Sequence, residues 1–208
     1  MEEKYPLVSI IITCKNCIDT ITETLESLKQ QTFQDFEVVL VDAYSRDGTY
    51  EFVKKYSQSW NKLRVYRHQG NPATGRNFSM RKAKGKFFAF IDADAYAEKN
   101  WLEKLITYIK LYKHKGIIGI GGPGLIPPND PLIAKCMALA FSIPILSIGT
   151  RNTIIRKIPI YVDHHPLYNA MFPRDVFKEV GFLNEKLDVG EDVEFGYRVR
   201  KAGYKLLY

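Results

Sequence analysis

Phe87-Phe88-Ala89-Phe90-Ile91-Asp92-Ala93-Asp94 is a fully apolar run that ends in two carboxylates one residue apart. A run without polar alternation reads as a strand buried on both faces, the middle of a parallel sheet. In open α/β sheets, ligands bind just beyond the carboxyl ends of such strands. Two acids at that place repel each other, because neighbouring like charges disfavour each other's ionisation. A divalent cation removes the cost, and Mg²⁺ or Mn²⁺ suits carboxylate oxygens combined with phosphate oxygens. The competing reading is an Asp-Ala-Asp turn that caps a helix beginning near Glu98. The octapeptide alone leaves both open.

Working outward, strands and helices alternate. A β-branched strand covers 7–13, and Ile21, Leu25 and Leu28 mark an amphipathic helix over 18–31. A second strand over 36–42 ends in Asp42, and a turn at Ser45-Arg46-Asp47-Gly48-Thr49 leads into a helix reaching about 56. A strand over 63–66, a helix over 73–83, the opening strand over 86–91, a helix over 99–112 and a strand over 117–121 follow. This alternation predicts an α/β domain with right-handed crossovers and a parallel sheet. Gly121-Gly122-Pro123-Gly124 lacks the Lys-Ser/Thr of a phosphate loop and reads as a turn.

Leu132 to Ile148 is almost wholly apolar, too short and interrupted for a membrane-spanning helix. It reads as a partly buried core helix, with an interfacial helix as the alternative. Arg151, Arg156 and Lys157 follow it and suit an anionic membrane face. From Ile160 come short strands and loops, then helices over 174–180 and from Gly190 to about Lys201, and a last strand over 204–208.

The chain has 208 residues, enough for one large domain, and its net charge of +7 suits an anionic partner. The basic residues are scattered, with no dense patch interleaved with aromatics, which argues against nucleic acid. Cys14-Lys15-Asn16-Cys17 has redox or zinc spacing, yet no second pair exists to complete a zinc site, so the spacing reads as coincidence. An odd count of 3 cysteines, with no export signal at the N-terminus, points to a reducing compartment.

Four further places carry chemistry. Asp42, ending its strand as Asp94 follows the end of another, is placed to accept hydrogen bonds from a nucleobase or ribose; its alternative is a helix cap, a job Asp47 can do. Gly75-Arg76-Asn77 opens a helix, where free N–H groups and an arginine favour phosphate. Glu191-Asp192 starts another helix and reads either as a dipole-favoured acid pair or as a general base for an acceptor hydroxyl. Glu194 and Arg198 are spaced as an i,i+4 surface pair. Of the adjacent His164 and His165, one at most points readily into a given site, toward metal or phosphate; a satisfied core histidine is the commoner case.

In this order and spacing the features resemble family 2 inverting glycosyltransferases of the GT-A fold, over essentially the whole chain. Val8-Ser9-Ile10-Ile11-Ile12-Thr13 with Asn16 matches the opening strand. Glu23-Thr24-Leu25-Glu26-Ser27-Leu28 and Gln31-Thr32-Phe33 match the first helix and its exit. Val41-Asp42-Ala43-Tyr44-Ser45-Arg46-Asp47-Gly48-Thr49 matches the nucleotide loop. Gly75-Arg76-Asn77 and Phe90-Ile91-Asp92-Ala93-Asp94 match the segment ending in the DXD motif. Gly190-Glu191-Asp192 with Arg198-Val199-Arg200-Lys201-Ala202-Gly203-Tyr204 matches the base-bearing helix.

The resemblance implies a single GT-A (Rossmann-like) α/β domain with a mostly parallel central sheet flanked by helices. Residues 1–122 would form the nucleotide-sugar-binding half, and 123–208 the acceptor-binding and base-bearing half. Thr13, Asn16, Asp42, Arg76, Asp92 and Asp94 would bind the nucleotide-sugar donor. Asp94 with Asp92 would hold Mg²⁺ or Mn²⁺, and Asp192 would be the base with Glu191 beside it. His164, His165, Asn169 and Arg198 are the candidate acceptor or phosphate contacts. Ala43 stands where many members carry a second acid, so a UDP donor does not follow, and GDP- or dTDP-sugars stay open.

Val162-Asp163, Asn169-Ala170-Met171-Phe172-Pro173-Arg174 and Val180-Gly181-Phe182-Leu183-Asn184-Glu185, after the apolar helix, resemble transferases of exopolysaccharide assembly. These often use lipid-linked acceptors, so the resemblance implies work at the cytoplasmic face of the membrane. The chain stops where the family usually has one more strand, as a fragment cut before membrane segments would. The readings set against an enzyme of this kind are a catalytically silent nucleotide- or glycan-binding module of the same fold, and a nucleotidyltransferase.

Overall fold

Strand β1 (Val8–Cys14) lies at the centre of the first half of the sheet, parallel to its neighbours on both sides. The computed structural model describes residues 5–126, 131–142, 155 and 158–208. Helix α1 (Ile21–Lys29), strand β2 (Phe36–Asp42), helix α2 (Thr49–Ser59), strand β3 (Leu63–Arg67), helix α3 (Pro72–Lys82) and strand β4 (Phe87–Ile91) follow in strict alternation. Then come α4 (Trp101–Tyr112), a single 3₁₀ turn, β5 (Ile117–Gly121) and α5 (Leu132–Ser142). The chain ends with β6 (Tyr161–Val162), β7 (Asn169–Pro173), α6 (Arg174–Glu179), α7 (Glu191–Lys201) and β8 (Lys205–Leu207). The sheet order is β3-β2-β1-β4-β7-β5-β8-β6, a mostly parallel sheet flanked by helices, as expected.

Alternate residues of the central strands feed two cores, which is why those strands show no polar alternation. Ile10, Ile12, Ala89 and Ile91 pack with Leu25, Leu28, Leu102 and Ile106 on one face. Ile11, Phe88 and Phe90 pack with Phe172, Phe177 and Phe195 on the other. Each fully buried side chain of this size contributes roughly 1.5–3 kcal/mol.

Periodicity did not announce the antiparallel β7. It inserts between β4 and β5, with Ile91 opposite Asn169 and Phe87 opposite Pro173. Being buried on both faces, it carries no alternation to read. Arg174 fixes its end by donating from Nε to the Gly85 carbonyl at 2.8 Å.

Helix starts follow local chemistry. Asn71 caps α3 by accepting from the Thr74 N–H at 3.0 Å, and Pro72 fills the first position, where a missing N–H costs nothing. Gly75-Arg76-Asn77 therefore lies inside α3 and does not open it, which corrects the expected anion-binding start. At α7, Gly190 turns in with φ 84°, acids fill the first turn and Arg198, Arg200 and Lys201 the last, matching the helix dipole.

Helix α5 exposes Leu132, Ile133, Met137 and Leu139 to solvent, against the expected partial core burial. Among the described residues no helix is long and apolar enough to cross a membrane. The continuation of the apolar segment over 143–148, and Arg151, Arg156 and Lys157, lie outside the described residues.

Helix α7 is seated on the loop before β7 through a glycine. A Cβ on Gly196 would meet the His164 Cβ at 2.6 Å and the Asp163 carbonyl at 2.7 Å. Gly196→Ala is therefore expected to destabilise the domain by about 1–3 kcal/mol, the usual cost of overpacking. Urea denaturation measures this, and an unchanged midpoint would show that the loop yields freely.

Candidate functional site

Because β1, β2 and β4 run parallel, their carboxyl ends share one rim, with β1 between the two acid-bearing strands. Thr13 and Cys14 end β1 opposite Val41 and Asp42. A Cβ on Gly75 would lie 2.8 Å from Thr13 Cγ2, so the glycine is what lets α3 come this close to the strand end.

Two rim loops are clasped together. The Ala43 N–H donates to the Cys14 carbonyl at 2.8 Å, the Asn16 N–H to Ser45 Oγ at 2.8 Å, and the Arg46 N–H to Asn16 Oδ1 at 2.9 Å. The Cys17 N–H donates to Thr49 Oγ1 at 3.0 Å and the Ile18 N–H to Asp47 Oδ2 at 3.1 Å. Asn16 adopts φ 53°, left-handed for a side chain that tolerates it. Asp47 accepts from the Thr49 N–H at 3.0 Å, so it serves the start of α2 and leaves Asp42 free of that task.

Asp42 is wholly buried. Its oxygens accept from the Ser45 N–H at 3.1 Å and from Arg67 Nε at 3.2 Å, and the Cys14 thiol donates to Oδ1 at 3.9 Å. Arg67, which the sequence reading did not single out, lies with its guanidinium 4.0 Å from the centre of the Tyr50 ring. A buried charge needs such a partner. Arg67 ends β3 directly opposite Asp42 in register, and its place at the end of a short strand was its only signal.

The acid pair after β4 does not cap a helix: it lies in a turn, and α4 starts only at Trp101, beyond an irregular stretch. Arg76, 12% exposed, donates from one guanidinium nitrogen to Asp92 at 3.1 Å and from another to Glu191. Burial, with the charges of Asp94 and Glu191 beside it, raises Asp92 above the ordinary Asp range against the pull of Arg76. Asp94 is exposed, and Asp192 is half-buried on the first turn of α7, where Oδ1 accepts its neighbour Val193's N–H at 2.8 Å. Tyr168 was also missed. Its phenol is pushed up to about 12, chiefly by burial, and it faces the charges of both Asp92 and Asp192. A lone tyrosine in an irregular stretch carries no pattern.

Among the described residues, no group of three or more His, Cys, Asp or Glu converges to hold an ion by itself. Asp92 and Asp94 nevertheless offer hard oxygen donors on an open rim. That set fits Mg²⁺ or Mn²⁺ completed by phosphate oxygens and water, and does not fit an all-protein cage.

The acceptor-side expectations fare differently. Arg198 spends its donors on Glu194 at 2.7 and 2.8 Å, on the Val180 carbonyl, and on those of Gly181 and Phe182. It clamps the α6–α7 connection, so it is not a free phosphate contact, although the i,i+4 pair with Glu194 forms as expected. Asn169 accepts from Trp101 Nε1 at 2.8 Å and donates to the Pro123 carbonyl at 3.0 Å, bracing the glycine turn. His165 is a core residue, 2% exposed, against which Gly121 packs too closely for a Cβ. His164 sits half-buried where α7 crosses the loop.

The mostly parallel sheet, with a buried acid at one strand end, an acid pair beyond another, and a helix-borne acid pair joined to it by one arginine, is the arrangement expected of a glycosyltransferase domain of the GT-A type. Residues 9–181 match the profile of glycosyl transferase family 2, and the chain belongs to that family. An uncharacterised glycosyltransferase of Haemophilus influenzae is 27% identical over 82% of this chain, which spans 58% of that relative's length. The Escherichia coli UDP-Glc:alpha-D-GlcNAc-diphosphoundecaprenol beta-1,3-glucosyltransferase WfaP is 38% identical over 51% of this chain and 43% of its own. In fold, the chain is similar to the mannosyltransferase PcManGT of Pyrobaculum calidifontis, solved with GDP-Man and Mn²⁺. The TM-score is 0.70 with 20% identity, covering 98% of this chain and 55% of that one.

Burial lowers His165 to about 4, so the folded state prefers it neutral. The unfolded chain takes up a proton near pH 6.5, and the folded one only near 4. Its contribution to stability is therefore complete above pH 6.5 and is lost as pH falls toward 4, amounting to roughly 3 kcal/mol by then. His165→Phe is expected to flatten the acid limb of the stability profile between those values, read by urea unfolding at stepped pH. An acid limb identical to that of the parent would refute the assignment.

Proposed function

We propose that the chain is the catalytic domain of a metal-dependent inverting glycosyltransferase. It moves a sugar from a nucleoside-diphosphate sugar to a lipid-linked or glycan acceptor during polysaccharide or glycoconjugate assembly. The observation that carries this reading is the Arg76 bridge, which brings the Asp92–Asp94 strand end and the Glu191–Asp192 helix start to one place. Residues 1–122 supply the donor half, and 123–208 supply the acceptor and base half.

Thr13, Asn16 and Asp42 shape the nucleoside end of the donor site. A carboxylate has about four acceptor positions. Those of Asp42 are largely engaged by Ser45, Arg67 and Cys14, so it acts mainly by fixing Arg67 and the Ser45 turn. Asp94, with Asp92, would hold Mg²⁺ or Mn²⁺, which supplies charge compensation for the departing diphosphate. Arg76 holds Asp92 and Glu191 in place. Asp192, whose side chain is in no ion pair among the described residues, accepts the acceptor hydroxyl's proton. The acceptor oxygen then attacks the anomeric carbon from the face opposite the diphosphate, the carbon–phosphate-oxygen bond breaks, and the configuration inverts.

The named relatives span UDP- and GDP-linked donors, and Ala43 removes the second acid of the nucleotide loop, so the donor class is stated without its base. The acceptor named for WfaP is lipid-linked. Together with the exposed apolar side chains of α5, this supports work at a membrane surface, which we assign to the cytoplasmic side.

Calorimetry with UDP and GDP is expected to show binding that strengthens with Mn²⁺ and loses that dependence in Asp94→Ala. Metal-independent binding in the parent would overturn the metal assignment. In the full-length protein, Asp192→Asn is expected to lower turnover by on the order of 10²–10⁴-fold while sparing nucleotide affinity. Undiminished transfer would remove Asp192 from the role of base.

A further inference from the structure

The turn after β2 holds Tyr44 at φ 57°, in the left-handed region that a bulky side chain seldom adopts. The other left-handed positions of the two rim loops are filled by residues that suit them, Asn16 and Gly48. The backbone is fixed on both sides of the tyrosine. The Ala43 N–H donates to the Cys14 carbonyl, and the Ser45 N–H donates to the Asp42 carboxylate. Glycine or asparagine would fill the turn with less strain. Core packing does not offset the strain, because Tyr44 is 52% exposed. Strain retained on an exposed aromatic beside a candidate site calls for a functional account.

Arg67 shows what the ring is set up to do. Its guanidinium lies over the Tyr50 ring at 4.0 Å and over the Tyr44 ring at 5.1 Å from their centres. Asp42 accepts from its Nε, and the Ser45 carbonyl accepts from Nη2 at 3.3 Å. Tyr50, Arg67 and Tyr44 are thereby layered and anchored on the buried Asp42. The outermost member, Tyr44, is the one that meets solvent. A flat ring held in advance at this end of the rim is a surface for another flat ring, and little further ordering is needed when that ring arrives.

We propose that Tyr44 is the platform on which the donor's nucleobase stacks, an inference that rests on the nucleoside-diphosphate reading of this rim. Stacking uses the face of a base, which purines and pyrimidines share. It supplies affinity where Ala43 offers no acid and where the Asp42 oxygens are largely engaged within the protein. The positive φ is what turns the ring outward from a turn whose neighbours on both sides are tied down.

The test uses the full chain with Mn²⁺. Calorimetry is expected to show UDP and GDP binding roughly ten- to hundred-fold more weakly to Tyr44→Ala, the scale of one lost base–aromatic stack, and within about two-fold of the parent to Tyr44→Phe. The lowered ultraviolet absorbance of a stacked base separates direct contact from mere support of the rim. At saturating nucleotide it is expected in the parent and in Tyr44→Phe, and not in Tyr44→Ala. Tyr44→Gly, which relieves the backbone, is expected to unfold at a higher urea concentration than Tyr44→Ala and to bind nucleotide no better. Parent-like affinity or a parent-like absorbance change in Tyr44→Ala, or binding restored in Tyr44→Gly, would overturn the proposal. If the parent bound neither nucleotide, the donor-site reading would fall and the platform with it. Nucleotide binding in the parent that Tyr44→Ala leaves intact would remove the platform alone.

Discussion

The guanidinium of Arg76 holds the two halves of the active-site region to each other. It projects from the second turn of α3, nearly buried, with Asp92 on one side and Glu191 on the other. Three negative charges, counting Asp94, would otherwise share this small volume, and burial would drive at least one of them to protonate. With the arginine present, the strand end and the helix start approach each other without neutralising their acids. Arginine suits this task because its planar fork serves two carboxylates at once and stays charged. Asp94, the exposed member of the proposed metal pair, and Asp192, the proposed base, are the two left outside its grip.

A second constraint governs the rim around Asp42, the proposed nucleoside end. Asp42 is buried in full, and its charge is tolerable because Arg67 and a backbone N–H meet it. The five hydrogen bonds between the β1 and β2 loops then fix Thr13, Asn16 and Ser45 as one surface. This surface depends on backbone N–H groups of each loop donating to the other, mostly to its side chains, and the acid end depends on a guanidinium–carboxylate bridge. A change in one need not propagate to the other.

Much of this was legible in the sequence where short-range chemistry decides structure. The unbroken apolar runs gave away the buried parallel strands, and β2 and β5 occupy the residues expected of them. The acids at Asp42, Asp92 and Asp94 fall on one rim because strand direction alone puts them there. Long-range partners were not legible. Arg76 looked like an anion site at a helix start because the local Asn71-Pro72 start signal was passed over, and nothing local shows that Glu191 waits across the site. Arg198 and Asn169 looked available because their carbonyl partners are backbone atoms, which every residue has and no pattern marks. Tyr168 and Arg67 acquire meaning only once folding brings Asp192 and Asp42 to them.

The position of Asp192 is consequently a property of the core more than of its own neighbours. Gly190 sets the entry of α7, and Phe195 stacks on Phe177 with ring centres 4.7 Å apart. Gly196 admits the His164 loop, and Arg198 ties the helix to the carbonyls of 180–182. None of these contacts is made to β1 or β2. The proposed base is thus aimed by packing in the second core, and the proposed donor side is built by the strand ends of the first half. Arg76 is where these two independently assembled surfaces are brought into register, and this explains why one buried arginine carries an acid from each.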